Sequence, residues 1–143
     1  MGAQMTKTYL RPLPTITPEN RPFWDALNAG KFVVPKCGDC GDYNWSPYPA
    51  CRTCLSTDQP WVEVSGRGTV YTFTAVYRGL ATFPTPHIWA YIELEEKPRT
   101  MTVLSNIIDC EPHDCYIGMP VEVVFEPVPG HDITLYKFKP TKE

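Results

Sequence analysis

Long apolar runs are missing from this 143-residue chain, and so is any excess of positive charge. No stretch approaches the roughly 20 consecutive apolar residues that cross a bilayer, so no membrane role is expected. The leading segment MGAQMTKTYLRPLP has no apolar stretch of the kind a secretory signal carries, and a cytoplasmic location is the expectation. Lysine and arginine number 13 against 16 acids, a formal net charge of −3. A chain that binds phosphate backbones by releasing counterions needs a basic face, which this balance disfavours. Histidine is scarce, at three residues. His87, His113 and His131 fall in or beside loop-like segments, without the spacing to cysteine or carboxylate that marks a triad. A glycine-rich phosphate loop is absent as well, because SGRGTV runs into a strand pattern and offers no helix N-terminus.

Cysteine, by contrast, is concentrated. Four of the six lie in CGDCGDYNWSPYPACRTC (37–54), spaced C-x2-C-x10-C-x2-C. Two tight turns, each presenting two thiolates, match a tetrahedral ion, and zinc suits an all-sulfur set. Two disulfides are disfavoured in a reducing compartment. A redox dithiol opens a helix, and the Pro/Ser/Thr-rich run around Cys51 and Cys54 lacks helical periodicity. Cys37, Cys40, Cys51 and Cys54 are therefore expected to hold one structural zinc per chain, with no coordination position left for water or substrate. The flanking region 31–63 is expected to be too small for a core of its own, with bound metal supplying on the order of 10–16 kcal/mol in its place. Tyr43, Trp45 and Tyr48 either pack around the metal turns or face another protein. A second cluster, Cys110, His113 and Cys115 in CEPHDC, has an unusual spacing and reads as unpaired thiols beside a loop histidine.

Upstream, Thr17 as N-cap, Pro18 at the first helical position and Gly30 as the stop predict a helix over 18–29. Its stripe of Phe23, Trp24 and Leu27 must be buried, either on its own chain or on a partner. Residues 1–16 read as an extended arm. Downstream the period falls to two: 66–77, 87–96, 100–107, 120–128 and 134–140 read as five strands. Five short antiparallel strands fit a closed Greek-key barrel of the OB type, with an open sandwich as the other arrangement. The fold class is thus mainly β, with an N-terminal arm and helix (1–30), a zinc ribbon (31–64) and a barrel (65–143).

The ordered combination of AGKFVVPKC, the four-cysteine ribbon, WVEVSGRGTVYTFT, GMPVEVVFE and LYKFKP resembles a family long catalogued as a domain of unknown function. Its members join a rubredoxin-like zinc ribbon to an OB fold and associate with acyl-CoA enzymes; the likeness covers about residues 18–140. The resemblance implies an accessory subunit without catalytic residues of its own, bound in a hetero-oligomer to a thiolase-like enzyme (thiolase, acyltransferase or aldolase). Acyl-CoA, as a CoA thioester, would be the ligand of that complex. On this reading the apolar loop 78–88, with Leu80, Phe83, Pro84 and Pro86, lines the substrate path or meets the partner, unless it simply folds over the barrel mouth. Phe23, Trp24, Leu27 and Trp45 are candidate interface anchors. A single-stranded nucleic-acid binder would use the same two folds, with Tyr71, Phe73, Tyr77, Trp89 and Tyr91 as stacking platforms, though only Arg67, Arg78, Lys97 and Arg99 gather nearby.

Overall fold

The computed structural model describes residues 12–79, 85–97 and 101–141. Its elements are helix α1 (Arg21–Asn28) and strands β1 (Phe32–Pro35), β2 (Trp61–Val64), β3 (Arg67–Val76), β4 (His87–Leu94), β5 (Thr102–Ile107), β6 (Pro120–Pro127) and β7 (Thr134–Pro140). β1 and β2 form a two-stranded antiparallel sheet that carries the cysteine turns, and the other strands close a barrel in the order β3-β4-β5-β7-β6. Closure settles the choice between barrel and open sandwich. It is completed by β3 pairing with β6 through Arg67↔Glu122 to Thr69↔Pro120 and by a parallel contact of β5 with β7 at Ile107↔Phe138. Where β5 and β7 diverge, the Ser105 hydroxyl donates to the Tyr136 carbonyl at 2.9 Å, satisfying an acceptor that the ladder leaves open.

Alternation decides what each strand buries. In β4, Ile88, Ala90, Ile92 and Leu94 point inward, and Val103, Ser105 and Ile107 of β5 do the same. β3 shifts register between Val70 and Thr72, so Tyr71 bulges outward and Phe73 is carried opposite Ala90, packed against the core. Phe73 therefore leaves the set of stacking platforms considered above. Gly68 meets β4 so closely that a Cβ there would lie 2.1 Å from the Glu93 carbonyl oxygen, which explains a glycine inside a strand.

Three expectations need correction. The helix begins at Arg21, not at residue 18. Thr17 and Asn20 exchange hydrogen bonds, Thr17 N–H to Asn20 Oδ1 at 2.7 Å and Asn20 N–H to Thr17 Oγ1 at 3.3 Å, and so close a separate turn before it. A helix from residue 18 would set Pro22 where its missing N–H and its ring disturb the Pro18 carbonyl; starting at Arg21 leaves that N–H among the donors that have no helical partner anyway. The stop is as expected: Lys31 N–H reaches the Ala26 carbonyl at 2.9 Å around Gly30.

Second, metal does not stand in for a core: the ribbon, with none of its own, shares the barrel's. Phe32, Val33 and Val34 are buried in one continuous cluster with Phe138, Val121 and Ile92. Phe32 meets Tyr136 and Phe138 of β7 edge-on, with ring centroids 5.4 and 6.3 Å away. Third, Phe23 and Leu27 are buried within this chain, at 4% and 1% exposure, and cannot anchor a partner. An eight-residue helix is too short to persist alone, and its apolar stripe seals the seam between β1 and β7; Phe23 lies edge-on to Phe32 at 5.7 Å and to Tyr136 at 5.6 Å. Trp24 and Trp45 are half-buried and keep part of their surface outside.

Candidate functional site

Each half of the cysteine cluster is a five-residue knuckle, and the two halves repeat one hydrogen-bond pattern. Gly41 N–H donates to the Cys37 carbonyl and Leu55 N–H to the Cys51 carbonyl, both at 2.9 Å. Cys37 N–H in turn reaches the Asp42 carbonyl at 2.8 Å, and Cys51 N–H the Ser56 carbonyl at 2.7 Å. Both knuckles turn through the left-handed region, at Gly41 (φ 78°) and Leu55 (φ 66°). These turns aim backbone amides at sulfur: Asp39 and Cys40 N–H at Cys37 Sγ, both 3.4 Å, and Thr53 N–H at Cys51 Sγ, 3.3 Å.

The four sulfurs lie within 4.8 Å of one another, with Cys37–Cys54 at 3.5 Å and Cys40–Cys51 at 3.6 Å. Zinc–sulfur bonds of about 2.3 Å in a tetrahedron place sulfurs about 3.8 Å apart, so the donor set fits a single zinc ion. Cys37 and Cys51 are buried and Cys40 and Cys54 exposed, which puts the site at the surface with two ligands rooted in the fold. The Asn44 side chain first, then the Cys54 amide, bring the Cys51 thiol down to about 6; the Cys40 amide lowers Cys37. At Cys40 the Asp42 amide favours thiolate, yet burial and the neighbouring sulfurs outweigh it and drive the thiol up to about 12. Four thiolates this close need a cation, and zinc bound here supplies one, along with a cross-link between two chain segments.

A polar frame holds the knuckles to each other and to the barrel. The Thr53 hydroxyl donates to Asp42 Oδ2 and the Ser56 hydroxyl to Asp39 Oδ2, each at 2.5 Å. Buried Asn44 accepts from Arg52 N–H at 3.1 Å and donates to Gln59 at 3.0 Å. Lys97, in the turn after β4, is ion-paired with Asp42, while its neighbour Glu96 accepts from Ser65 N–H at 2.7 Å and Glu95 pairs with Arg67 at 2.8 Å. Asp42 and Asn44 did not stand out in the sequence, where polar residues between cysteines look like any solvated loop, and Lys97 stood out there only as one of the few cations near the first barrel strands.

The other candidate residues are more scattered. Leu80, Phe83 and Pro84 lie outside the described residues. Pro86 lines a cleft of about 320 Å³ with Ile88, Asn106, Ile107, Glu126 and Lys137. Lys137 is 8% exposed and bonds Glu126 at 3.1 Å. Cys110 and Cys115 are free thiols flanking a short 3-10 turn (Pro112–Asp114), and burial pushes Cys115 up to about 11. Among the described residues the cluster able to hold a metal is that of Cys37, Cys40, Cys51 and Cys54; Cys110, His113 and Cys115 do not join it or form another. His113 and His131 are exposed, and His87 stands edge-on to Trp89 at 6.3 Å. No helix among the described residues is long and apolar enough to cross a membrane.

Comparison with known proteins agrees with this arrangement. The rubredoxin-like zinc ribbon domain of ChsH2 matches residues 24–58 and its C-terminal OB-fold domain matches residues 61–126. A DUF35 domain-containing scaffold protein of Methanocaldococcus jannaschii is 37% identical over 117 residues, covering 76% of this chain and 81% of that one. The benzoylsuccinyl-CoA thiolase subunit BbsA of Geobacter metallireducens is 32% identical over 108 residues, covering 73% and 70% of the two chains. Among solved structures, the Ltp2-ChsH2(DUF35) aldolase superposes with a TM-score of 0.80 at 28% identity, over 90% of this chain and 98% of that one. With both domains matched in order, a closed barrel and a four-sulfur ribbon, the chain belongs to the DUF35 family of zinc-ribbon and OB-fold proteins.

Proposed function

We propose that this chain is a non-catalytic subunit of an enzyme acting on CoA thioesters, bound to a thiolase-like partner and helping to form the passage its substrate takes. The observation that carries the reading is the superposition on the DUF35 chain of an aldolase over almost all of that chain's length. The relative named as a subunit of a CoA-thioester thiolase supports it. The metal site fits a scaffold role, since four thiolate ligands complete a zinc tetrahedron and leave nowhere for substrate to coordinate. The half-buried Trp24 and Trp45 remain the interface anchors on this reading, because a large aromatic ring with one face free contributes strongly when a partner covers it. The 78–88 loop lines the thioester's path, and Pro86 joins it to the Ile88–Ile107 cleft.

Co-expression with the thiolase-like enzyme from the same source tests the reading. The tagged chain should co-elute with that enzyme in size-exclusion chromatography, and thioester turnover should need both. Trp24→Ala should weaken assembly more than it lowers the chain's own unfolding midpoint. An enzyme fully active and soluble without this chain, or a chain that cleaves thioesters unaided, would refute it.

A further inference from the structure

The outward face of β4 and β5 carries an apolar patch, Trp89, Tyr91 and Leu104, between the polar pair Glu93 and Thr102 at one end and Asn106 and His87 at the other. Tyr91 lies directly opposite Leu104, each 44% exposed, and the next outward pair is Trp89 with Asn106. Thr72 and Thr74 of β3 flank them, and the group encloses a shallow depression of about 220 Å³. Trp89 lines this depression and its cross-strand neighbour Asn106 lines the 320 Å³ cleft, so the two hollows lie on either side of one residue pair. From Tyr91 to His87 the track runs about 13 Å along the strand. Asn106 is fixed by donating to the Ile88 carbonyl at 3.0 Å.

The far end of the track is acidic. Asp109 lines the cleft and two adjoining hollows, one containing Glu122 and Lys139, the other Glu111 and Asp114. The lysines here are already matched, Lys137 with Glu126 at 3.1 Å and Lys139 with Glu122 at 3.8 Å. Among the described residues Asp109 makes no hydrogen bond or ion pair. Beside it, burial first, then Asp114 and Glu111, hold the Cys110 thiol above its ordinary range. A phosphate backbone would be repelled at this end, whereas a guest cation would find an unpaired carboxylate beside aliphatic walls that suit its stem.

We propose that the track from Tyr91–Leu104 through Trp89–Asn106 to Asp109 is a protein-docking surface that receives an apolar strip ending in an arginine or lysine side chain of a partner subunit. This rests on the reading of the chain as a subunit and states the chemistry of the partner's face: aliphatic or aromatic side chains over Trp89, Tyr91 and Leu104, with a cation at Asp109. The apolar contact supplies the affinity, and the charge fixes which way the strip lies.

The test uses the zinc-loaded full chain and three probes in ¹⁵N–¹H correlation spectra: N-acetyl-Leu-Tyr-Leu-Arg-amide, the same peptide with Glu in place of Arg, and an oligothymidylate. The Arg peptide should give saturable shifts at the Trp89 indole and the Leu104, Asn106 and Asp109 amides, with the Glu peptide about tenfold weaker. Asp109→Asn should remove most of that preference, and Leu104→Glu should abolish binding of both peptides. Equal affinities for the two peptides, no saturable shift along the track, or oligothymidylate shifting the same residues would overturn the proposal. No enzyme is present, so the outcome is independent of the co-elution experiment: a complex that forms while the peptides fail leaves the subunit reading standing without this surface.

Discussion

Replacing Phe32 by alanine probes the joint between ribbon and barrel most directly. The side chain is 2% exposed and its ring meets those of Phe23, Trp45, Tyr136 and Phe138 at centroid distances of 5.7, 6.1, 5.4 and 6.3 Å. Burial of the ring accounts for roughly 2–3 kcal/mol. Aromatic contacts with helix, ribbon and barrel cannot close over the gap together, so a cavity adds to that loss, and the total falls at about 3–5 kcal/mol. For a chain of this size that lowers the unfolding temperature by about 10–17 °C. The assay is urea or thermal unfolding of zinc-loaded protein followed by two signals. Tryptophan fluorescence reports mainly Trp24, Trp45 and Trp61, which pack against the core near the helix and ribbon, and far-ultraviolet dichroism reports the barrel. Both transitions should shift together. A loss under about 1 kcal/mol, or a dichroism midpoint that stays in place while fluorescence moves, would refute a shared core.

Further outcomes follow from other parts of the molecule. Cys37→Ser and Cys51→Ser should each lower the zinc content from about one ion per chain and leave a chain that unfolds at lower temperature, measured by elemental analysis and calorimetry. At the two left-handed knuckle positions the same glycine requirement has opposite signs: Leu55→Gly should be neutral or stabilising by up to about 1 kcal/mol, whereas Gly41→Ala should cost about 1 kcal/mol or more in urea unfolding. Lys97→Met leaves Asp42 with its Thr53 and Tyr43 bonds but without its cation, and should cost about 1–2 kcal/mol of stability without changing zinc stoichiometry. Burial raises Tyr136 from 10.0 to about 12, so the unfolded chain gives up this proton first as pH rises. Stability from this group is whole below pH 10 and lost between 10 and 12, and Tyr136→Phe should remove that part of the slope in unfolding measured against pH.

Features with a short period or a fixed spacing were legible in the sequence. The alternation in HIWAYIEL and PVEVVFEP gives β4 and β6 nearly to the residue, and C-x2-C-x10-C-x2-C gives the metal cluster. What escaped depends on contacts distant along the chain. FVVP is a four-residue apolar run that reads the same in a strand or a loop, and only pairing of Phe32 with Val64 and packing on Phe138 make it core. The helix stripe was recognised as needing burial, yet its destination lay in β7, more than a hundred residues downstream. The bulge at Tyr71 turned Phe73 inward, against the simple alternation that puts Tyr71, Phe73 and Tyr77 on one face. The Asp42–Lys97 pair joins residues 55 apart and carries no local signature.

The aromatic seam where Phe23 and Phe32 meet Tyr136 and Phe138 limits how this chain can be divided. The β2–β3 junction at Ser65–Gly66 is where the two-stranded sheet ends and the barrel begins, and a molecular biologist designing expression fragments from the strand order would cut there. Either fragment would then present to water an apolar surface that the intact chain hides. The barrel would lose its cover over β7, and the ribbon and helix would keep their metal with nothing beneath Phe32. The two parts can be separated on paper, but they behave as one object when handled.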